Sequence, residues 1–391
     1  MDKDKLKRLD ALKASINKRF GADTVMTAKE AADKGKLSKK VLSTPSLELN
    51  DALHCNGLSG IVELFGPNSS GKTSLAIDTI VLNQKADPNF VVAWLETEGS
   101  VTETILQDHG VDLDRVIYWR QEDAGNAESA LDIARAFITG GDVDAMVVNS
   151  IAGLCPKVEN EDDLEKQSIA LTARLLSKYF RVATGVASKN DVTMIFINQV
   201  RDNVGQMFGN PEAVSGGKAL AFYASQRIRM SQVKLDASDP IKKEDGIKVS
   251  CIVKKNRFAG KNNPYTKCNY YATFADGIDS IIPMPQMLLN AGIVRQAGSW
   301  WYYEDINGQP ITVNGTLCKF NSKNAFLDAL RNNKALHDEL LSKLGCLSVA
   351  QNEEEMAEIE AENAEINAQM EEIEKAEMSE DINDILEANE S

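Results

Sequence analysis

Apolar residues in the first half of the chain gather into short, nearly continuous runs: GIVELF at 60–65, FVVAWL at 90–95, DAMVVN at 144–149 and TMIFIN at 193–198. Each is rich in β-branched or aromatic residues, the pattern of strands buried on both faces. Helical spacing lies between them, at Ser74–Gln84, Ala127–Thr139 and Leu164–Ala187. Strands alternating with helices predict an α/β fold with a mostly parallel sheet, right-handed crossovers and helices on both sides. The later runs SQRIRM (225–230), IKVSCIVKK (247–255) and CNYYATF (268–274) follow without intervening helices, so the sheet is expected to continue antiparallel. Residues 276–346 change character. Short helices around MPQMLLNAG, a strand in SWWYYED and helices in KNAFLDAL and LHDELLSKL predict a small α+β domain. At the other end, Leu6, Leu9, Ile16 and Phe20 share one face of a basic helix that Gly21 stops. That stripe must be buried either on this domain or on a neighbouring subunit, and residues 22–44 read as a polar linker. The expected organisation is therefore a helix and linker at 1–44, a core at 45–275, the small domain at 276–346 and a tail at 347–391.

Charge changes the picture only at the C-terminus. The 391 residues carry 43 basic and 58 acidic side chains, for a formal charge of −15. Sixteen of the acids and a single base, Lys375, fall between Glu353 and Glu390, leaving 42 of each sign in residues 1–352. A neutral body with an acidic tail does not exclude nucleic acid as a partner. Met356, Ile359, Asn363, Ile366, Met370 and Ile373 give the tail heptad-like spacing. It is either a solvated tail with transient helix or a helix that docks on a basic surface. No stretch approaches the roughly 20 apolar residues of a membrane span, and no apolar run follows the charged N-terminus as in a signal peptide. Six cysteines without a C-x-x-C pair read as reduced thiols of a cytosolic protein, not a disulfide or zinc framework.

The first candidate chemistry is GPNSSGKT, Gly66–Thr73, which follows the run at 60–65 and opens a helix. This is the G-x-x-x-x-G-K-[ST] phosphate loop in its required strand–loop–helix setting. Gly66, Pro67, Asn68, Ser69, Ser70, Gly71, Lys72, Thr73 and Ser74 are the expected nucleotide contacts. Glycines let backbone N–H groups converge on phosphate, Lys72 reaches the β- and γ-phosphates, and Thr73 supplies a magnesium-ligand hydroxyl. The loop implies ATP and Mg²⁺ as cofactors. Glu96 and Glu98, in WLETEG, end a strand where the ligands of a parallel sheet collect. A carboxylate there can orient and deprotonate water. A second acidic strand end is expected after DAMVV, but that position is Asn149. Asp144 lies roughly 17 Å away along the strand and cannot substitute. Asn149 can orient a magnesium-bound water but adds no charge, so weaker metal binding or slower hydrolysis is expected unless Glu96 compensates.

The stretch Gln199–Lys218, read as holding a 16-residue irregular loop, mixes Arg201, Met207, Phe208 and Lys218 with four glycines. Cations for phosphates and apolar side chains for bases suit single-stranded DNA, though a surface loop with Met and Phe as core anchors fits the composition as well. ENEDDLEKQ, from 159, is acidic and by composition argues against DNA. His54, His109 and His337 stand apart from acids and cysteines and read as ordinary surface or core residues. Trp300 to Tyr303 read as core of the small domain or as an auxiliary duplex-DNA surface.

With the phosphate loop, these strand ends and FINQVRDNVGQMFGNPEAVSGGKALAFYASQRI, the chain resembles the RecA family of homologous recombinases. The likeness runs over about residues 5–345 and includes STPSLELNDAL, VDAMVVNSIAGLCPK, VKKNRFAG and GSWWYY; the divergence would suit a phage-encoded member. The resemblance implies a RecA-like ATPase core with Glu98 as catalytic glutamate, beside Lys72, and Gln199 as the residue coupling γ-phosphate sensing to DNA. It places mobile DNA-binding loops at Glu159–Ile169 and Val200–Ser215. Arg174, Ser177 and Arg181, then Arg201, Val204, Gly216, Gly217 and Lys218, match DNA contacts. Phe222 matches an aromatic at the subunit interface, Lys255 and Arg257 match lysines reaching a neighbour's ATP, and Phe274 stands where a tyrosine packs on adenine. Thr102 and Ile105 replace adenine contacts, which implies looser nucleotide selectivity. Asp202 and Asn203 lower the charge of the second loop.

The expected function is an ATP-dependent recombinase, a DNA-stimulated ATPase in the cytoplasm of a bacterial or phage-infected cell. It would form a helical filament of its own copies on single-stranded DNA, pair it with a homologous duplex, and work with loading mediators and a single-strand-binding protein but no membrane. The acidic tail would compete with duplex DNA for basic surface. Two rivals stand beside this reading: a DNA-coating filament protein with little ATP turnover, motivated by Asn149, and a hexameric motor such as a helicase.

Overall fold

The computed structural model describes residues 3–158, 171–202, 212–237 and 239–345. At its centre lie β1 (Ile61–Gly66), β2 (Val92–Glu96), β3 (Val116–Arg120), β4 (Ala145–Asn149), β5 (Thr193–Asp202), β6 (Glu212–Val214), β7 (Gln226–Val233), β8 (Gly246–Asn256), β9 (Lys267–Thr273) and β10 (Gly277–Ile278). They form one sheet in the order β10-β9-β8-β7-β1-β5-β4-β2-β3, with β6 paired to β5 off that path. Neighbours from β7 to β3 run parallel. From β7 to β10 they alternate antiparallel, as the helix-free spacing of the later runs required.

The continuous apolar runs became strands buried along their whole length in β1, β2 and β4. Both faces are covered. On one, Leu75 and Ile80 of the helix Lys72–Ala86 pack with Trp94, Val147, Ile195 and Tyr270. On the other, Leu131 of the helix Ala127–Gly140 and Phe180 of the helix Leu171–Lys189 pack with Met146 and Phe196. This order brings the C-terminal ends of β1, β4 and β2 together beside the second half of β5: Gly66 opposes Gln199, Asn149 opposes Ile197, and Glu96 opposes Asn149.

Two features differ from the sequence reading. β3 was missed because it is the sheet edge: Ile117 and Tyr118 are exposed, so no continuous apolar run marks it. Residues 22–44 are more than a linker. Thr27 and Glu30 form a reciprocal capping box that starts a short helix, Ala28–Asp33. Lys13 binds Glu30 at 2.7 Å, and the Leu42 backbone pairs with Leu58. The N-terminal helix, Lys3–Phe20, leaves Leu6, Leu9 and Phe20 exposed, so the described residues of this chain do not cover its stripe.

After β10 a third core forms around Leu288, Trp301, Phe320, Phe326, Leu336 and Leu340, joined from the body by Leu47. Its strands are β11 (Arg295–Ala297), β12 (Trp300–Tyr302) and β15 (Lys319–Phe320), beside a hairpin of β13 (Thr312–Val313) and β14 (Thr316–Leu317). Trp301 and Tyr303 are core residues, whereas Trp300 faces outward beneath the Lys319 ammonium. No helix among the described residues is long and apolar enough to cross a membrane. The tail from 346 lies outside the described residues.

Candidate functional site

β1 delivers the phosphate loop, and two glycines shape it. A Cβ at Gly66 would lie 1.9 Å from the Met230 carbonyl oxygen, so a side chain there would push β1 away from β7. Gly71, with φ +80°, takes the left-handed conformation that caps the helix Lys72–Ala86, a cost only glycine avoids. The N-terminus of that helix faces the loop, where its unpaired N–H groups favour an anion. Lys72, 6% exposed, donates to the Pro67 carbonyl at 2.7 Å, the Gly66 carbonyl at 3.1 Å and the Ser70 hydroxyl at 3.3 Å, spanning the loop. Burial pushes its amine pKa down, against the pull of the Glu98 charge.

The acidic corner adjoins it. The Thr73 hydroxyl donates to Asn149 Oδ1 at 3.3 Å. Asn149 Nδ2 donates to Glu96 Oε2 at 2.9 Å and to Ser100 Oγ at 3.2 Å. Its orientation is thereby set, with oxygen toward Thr73. Glu96 is fully buried and also accepts from Trp94 Nε1 at 3.1 Å, Glu98 N at 3.1 Å and Ser100 N at 3.2 Å. β2 ends at Glu96, so Glu98 sits beyond it in an exposed bend. Its carboxylate accepts from Gln199 Nε2 at 2.7 Å and from the Ser150 hydroxyl. Thr73 and Asn149 turn oxygens to one spot, a donor set that suits a hard cation such as Mg²⁺. The residues present therefore fit the expected metal, which Thr73 would hold with Asn149 orienting a bound water.

A cleft of about 560 Å³ continues from the loop. Gly71, Ser74, Asp78, His109, Tyr270 and Phe274 line it. Phe274, 70% exposed, stands at this cleft as the expected base contact would. Thr102 and Ile105 do not line it; the Thr102 side chain caps the helix Glu103–Asp108 by accepting from Ile105 N. Sequence reasoning missed Asp78 and His109, which are 31 positions apart and bonded at 2.5 Å. His109 is thus not apart from acids, and Asp78 holds its imidazole pKa above the usual value. No local signal could have paired them.

The described DNA candidates lie on β5, on the turn and helix after β6, and on the helix Leu171–Lys189. The segment expected to be irregular from Val200 to Ser215 is paired at both ends: β5 runs on to Asp202 and opposes β6, with Val200 against Val214 and Arg201 against Ala213. Backbone pairing favours an extended stem there, which polar and glycine content concealed. Asn198 anchors the stem by donating to Glu63 at 2.9 Å and to the Ser215 carbonyl at 3.1 Å, and Arg227 pairs with the same fully buried Glu63. Val204, Met207 and Phe208, and the loop Glu159–Ile169, lie outside the described residues. Gly216 and Gly217 form the turn before the helix Lys218–Tyr223, with Lys218 exposed. Arg174, Ser177 and Arg181 share one face of the helix Leu171–Lys189 by their spacing of three and four. Both arginines are exposed, and Ser177 donates to the Ala173 carbonyl.

Phe222 is 69% exposed. Lys255 donates to the Ala221 and Phe222 carbonyls, each at 2.9 Å, and Arg257 to Phe222 at 3.1 Å. Both basic groups therefore sit at the end of the helix Lys218–Tyr223, and neither lines the cleft beside Lys72 of the same chain. Burial, with Arg257 and Arg227 nearby, lowers the Lys255 pKa.

The RecA N-terminal domain profile matches residues 7–279. Protein RecA of Mycoplasma mobile is 33% identical over 340 residues, 86% of this chain and 96% of that protein. Protein RecA of Clostridioides difficile is 36% identical over 78% of this chain and 84% of its own length, and that of Bacteroides thetaiotaomicron 38% over 77% and 88%. A crystal structure of the RadB recombinase is 21% identical, with TM-score 0.44, over 61% of this chain and 98% of that one. The profile spans the phosphate loop, the acidic corner and the paired segment after β5, and the chain belongs to the RecA family of homologous recombinases.

Proposed function

We propose that this DNA-recombination protein is an ATP-dependent recombinase that assembles on single-stranded DNA, pairs it with a homologous duplex and hydrolyses ATP in doing so. The observation that carries this reading is the hydrogen bond from Gln199 to Glu98. One side chain links the group beside the phosphate loop to the first residue of the segment at 200–217. A γ-phosphate oxygen competing for the Gln199 amide would free Glu98 to orient water and would alter the pull on that segment. Lys72 and the loop amides would hold the phosphates, and Thr73 with Asn149 the metal. Bound magnesium would stabilise charge on the transferred phosphoryl oxygens.

Arg174, Ser177, Arg181, Arg201, Gly216, Gly217 and Lys218 would meet the DNA backbone, with Val204, Met207 and Phe208 against bases. Lys255, Arg257 and Phe222 would act on the next subunit, whose surface would cover the Leu6–Leu9–Phe20 stripe. The expected setting is cytoplasmic, with mediators and a single-strand-binding protein as partners and residues 45–275 as the catalytic unit.

A second reading, a DNA-coating filament with little turnover, is favoured by the uncharged Asn149. ATP hydrolysis with and without single-stranded DNA, with Lys72→Ala as blank, separates the two. DNA-stimulated turnover supports the recombinase. ATP-dependent filaments on DNA without turnover support the coat, and neither filaments nor turnover refutes both.

A further inference from the structure

β2 and β4 are registered so that Glu96 and Asn149 are direct neighbours. By position Asn149 occupies the place of an acidic group beside the metal, and an amide carries no charge. The charge stands next door. Glu96 is fully buried, and its hydrogen-bond partners among the described residues are all neutral donors: an indole, two backbone amides, the Asn149 amide and the Ser100 hydroxyl. A buried carboxylate satisfied only by neutral groups leaves a local negative field that a cation would complete. Asn149 spends its N–H donors on Glu96 and Ser100, which leaves Oδ1 toward Thr73 at 3.3 Å. Donation to an anion polarises the amide and enriches that oxygen.

We propose that Glu96 is the acidic group of the metal corner, acting through Asn149 as a positioning residue that aims and polarises Oδ1 toward the magnesium site. This deepens the nucleotide–magnesium reading and rests on it. Ligand orienters behind a metal's direct contacts commonly change metal affinity by about 10- to 100-fold when removed. The proposal reverses the simplest expectation for Asn149→Asp. That change sets a second carboxylate at hydrogen-bonding distance from Glu96, replacing an N–H···O contact of 2.9 Å by like-charge repulsion. The informative variant is the exchange, Glu96→Gln with Asn149→Asp. It conserves net charge and turns the carboxylate–amide contact round, at the loss of the Trp94 hydrogen bond.

The test measures binding of a fluorescent ATP analogue to the full chain as Mg²⁺ is titrated, with thermal melting of each protein as the folding control. Glu96→Gln should raise the Mg²⁺ needed for half-maximal binding about tenfold. Asn149→Asp should not lower it, and the exchange should return it to within about threefold of the parent. If Glu96→Gln lacks a cooperative melt, the exchange variant decides alone. A folded Glu96→Gln with the parent's Mg²⁺ requirement overturns the proposal. So does an exchange variant as impaired as the single one, or an Asn149→Asp that needs less Mg²⁺ than the parent. Binding by the parent that ignores Mg²⁺ overturns the underlying magnesium reading as well, and is distinguishable because it needs no variant.

Discussion

Glu48→Gln should stabilise the protein in a pH-dependent way. Glu48 lies in the first turn of the helix Leu47–Ala52 and faces a cavity of about 380 Å³ lined also by Asp51, His54, Lys267, Cys268 and Gln286. Burial pushes its carboxyl pKa up to about 7 from 4.5, and the charge of Asp279 adds to this. A backbone amide and the Ser46 hydroxyl, which donates at 3.2 Å, pull the other way. Below pH 4.5 both the folded and unfolded chains hold the proton, so the shift costs nothing. Between 4.5 and 7 the unfolded chain releases the proton and the folded one keeps it, so stability falls as pH rises; above 7 the penalty is complete. At about 1.4 kcal/mol per pKa unit the full penalty is about 3 kcal/mol, and the partly open side chain should reduce it to roughly 1–3 kcal/mol. Glutamine keeps the shape without the charge. The unfolding free energy of variant minus parent, from urea titrations, should be roughly 2 kcal/mol larger at pH 8 than at pH 5. Equal differences at the two pH values, or a larger gain at pH 5, would refute the reasoning.

Two further outcomes can be read with standard measurements. Phe180, fully buried between Phe196 at 5.0 Å and Tyr223 at 5.6 Å, should cost about 3–5 kcal/mol on replacement by Ala. A loss below about 1 kcal/mol in the same urea titrations would contradict the packing described. Gln199→Ala removes the bond to Glu98 and should leave binding of a fluorescent ATP analogue within about threefold while cutting DNA stimulation of hydrolysis at least about tenfold. Stimulation that survives intact would break the proposed link between the two sites.

Much of the core architecture was legible because it follows from short-range rules. A strand covered on both faces must be apolar at successive positions, so β1, β2, β4 and β5 announced themselves. The phosphate loop was legible for a similar reason: glycine is required at Gly71 by backbone conformation and at Gly66 by close approach. The helix and strands after β10 carried their own periodicity. Where local pattern is weak the reading failed. β3 pairs with a neighbour on one side only and is largely exposed, and the paired ends of the segment after β5 owe their extension to a partner strand, not to their own composition.

What the candidate site does with its residues was decided by tertiary structure. Glu96 and Asn149 are 53 positions apart, and only the placement of β2 directly beside β4 makes one the hydrogen-bond partner of the other. Asp78 and His109 meet because two helices flank the same cleft. Gln199 reaches Glu98 because the register sets Ile197, Asn149 and Glu96 level across β5, β4 and β2, and each of the two residues lies two positions beyond that level. Sequence by itself determined the residue types, the strands covered on both faces and the phosphate loop, since propensity and periodicity act over a few residues. Strand order and register, set by packing of the whole chain, determined which charge faces which amide.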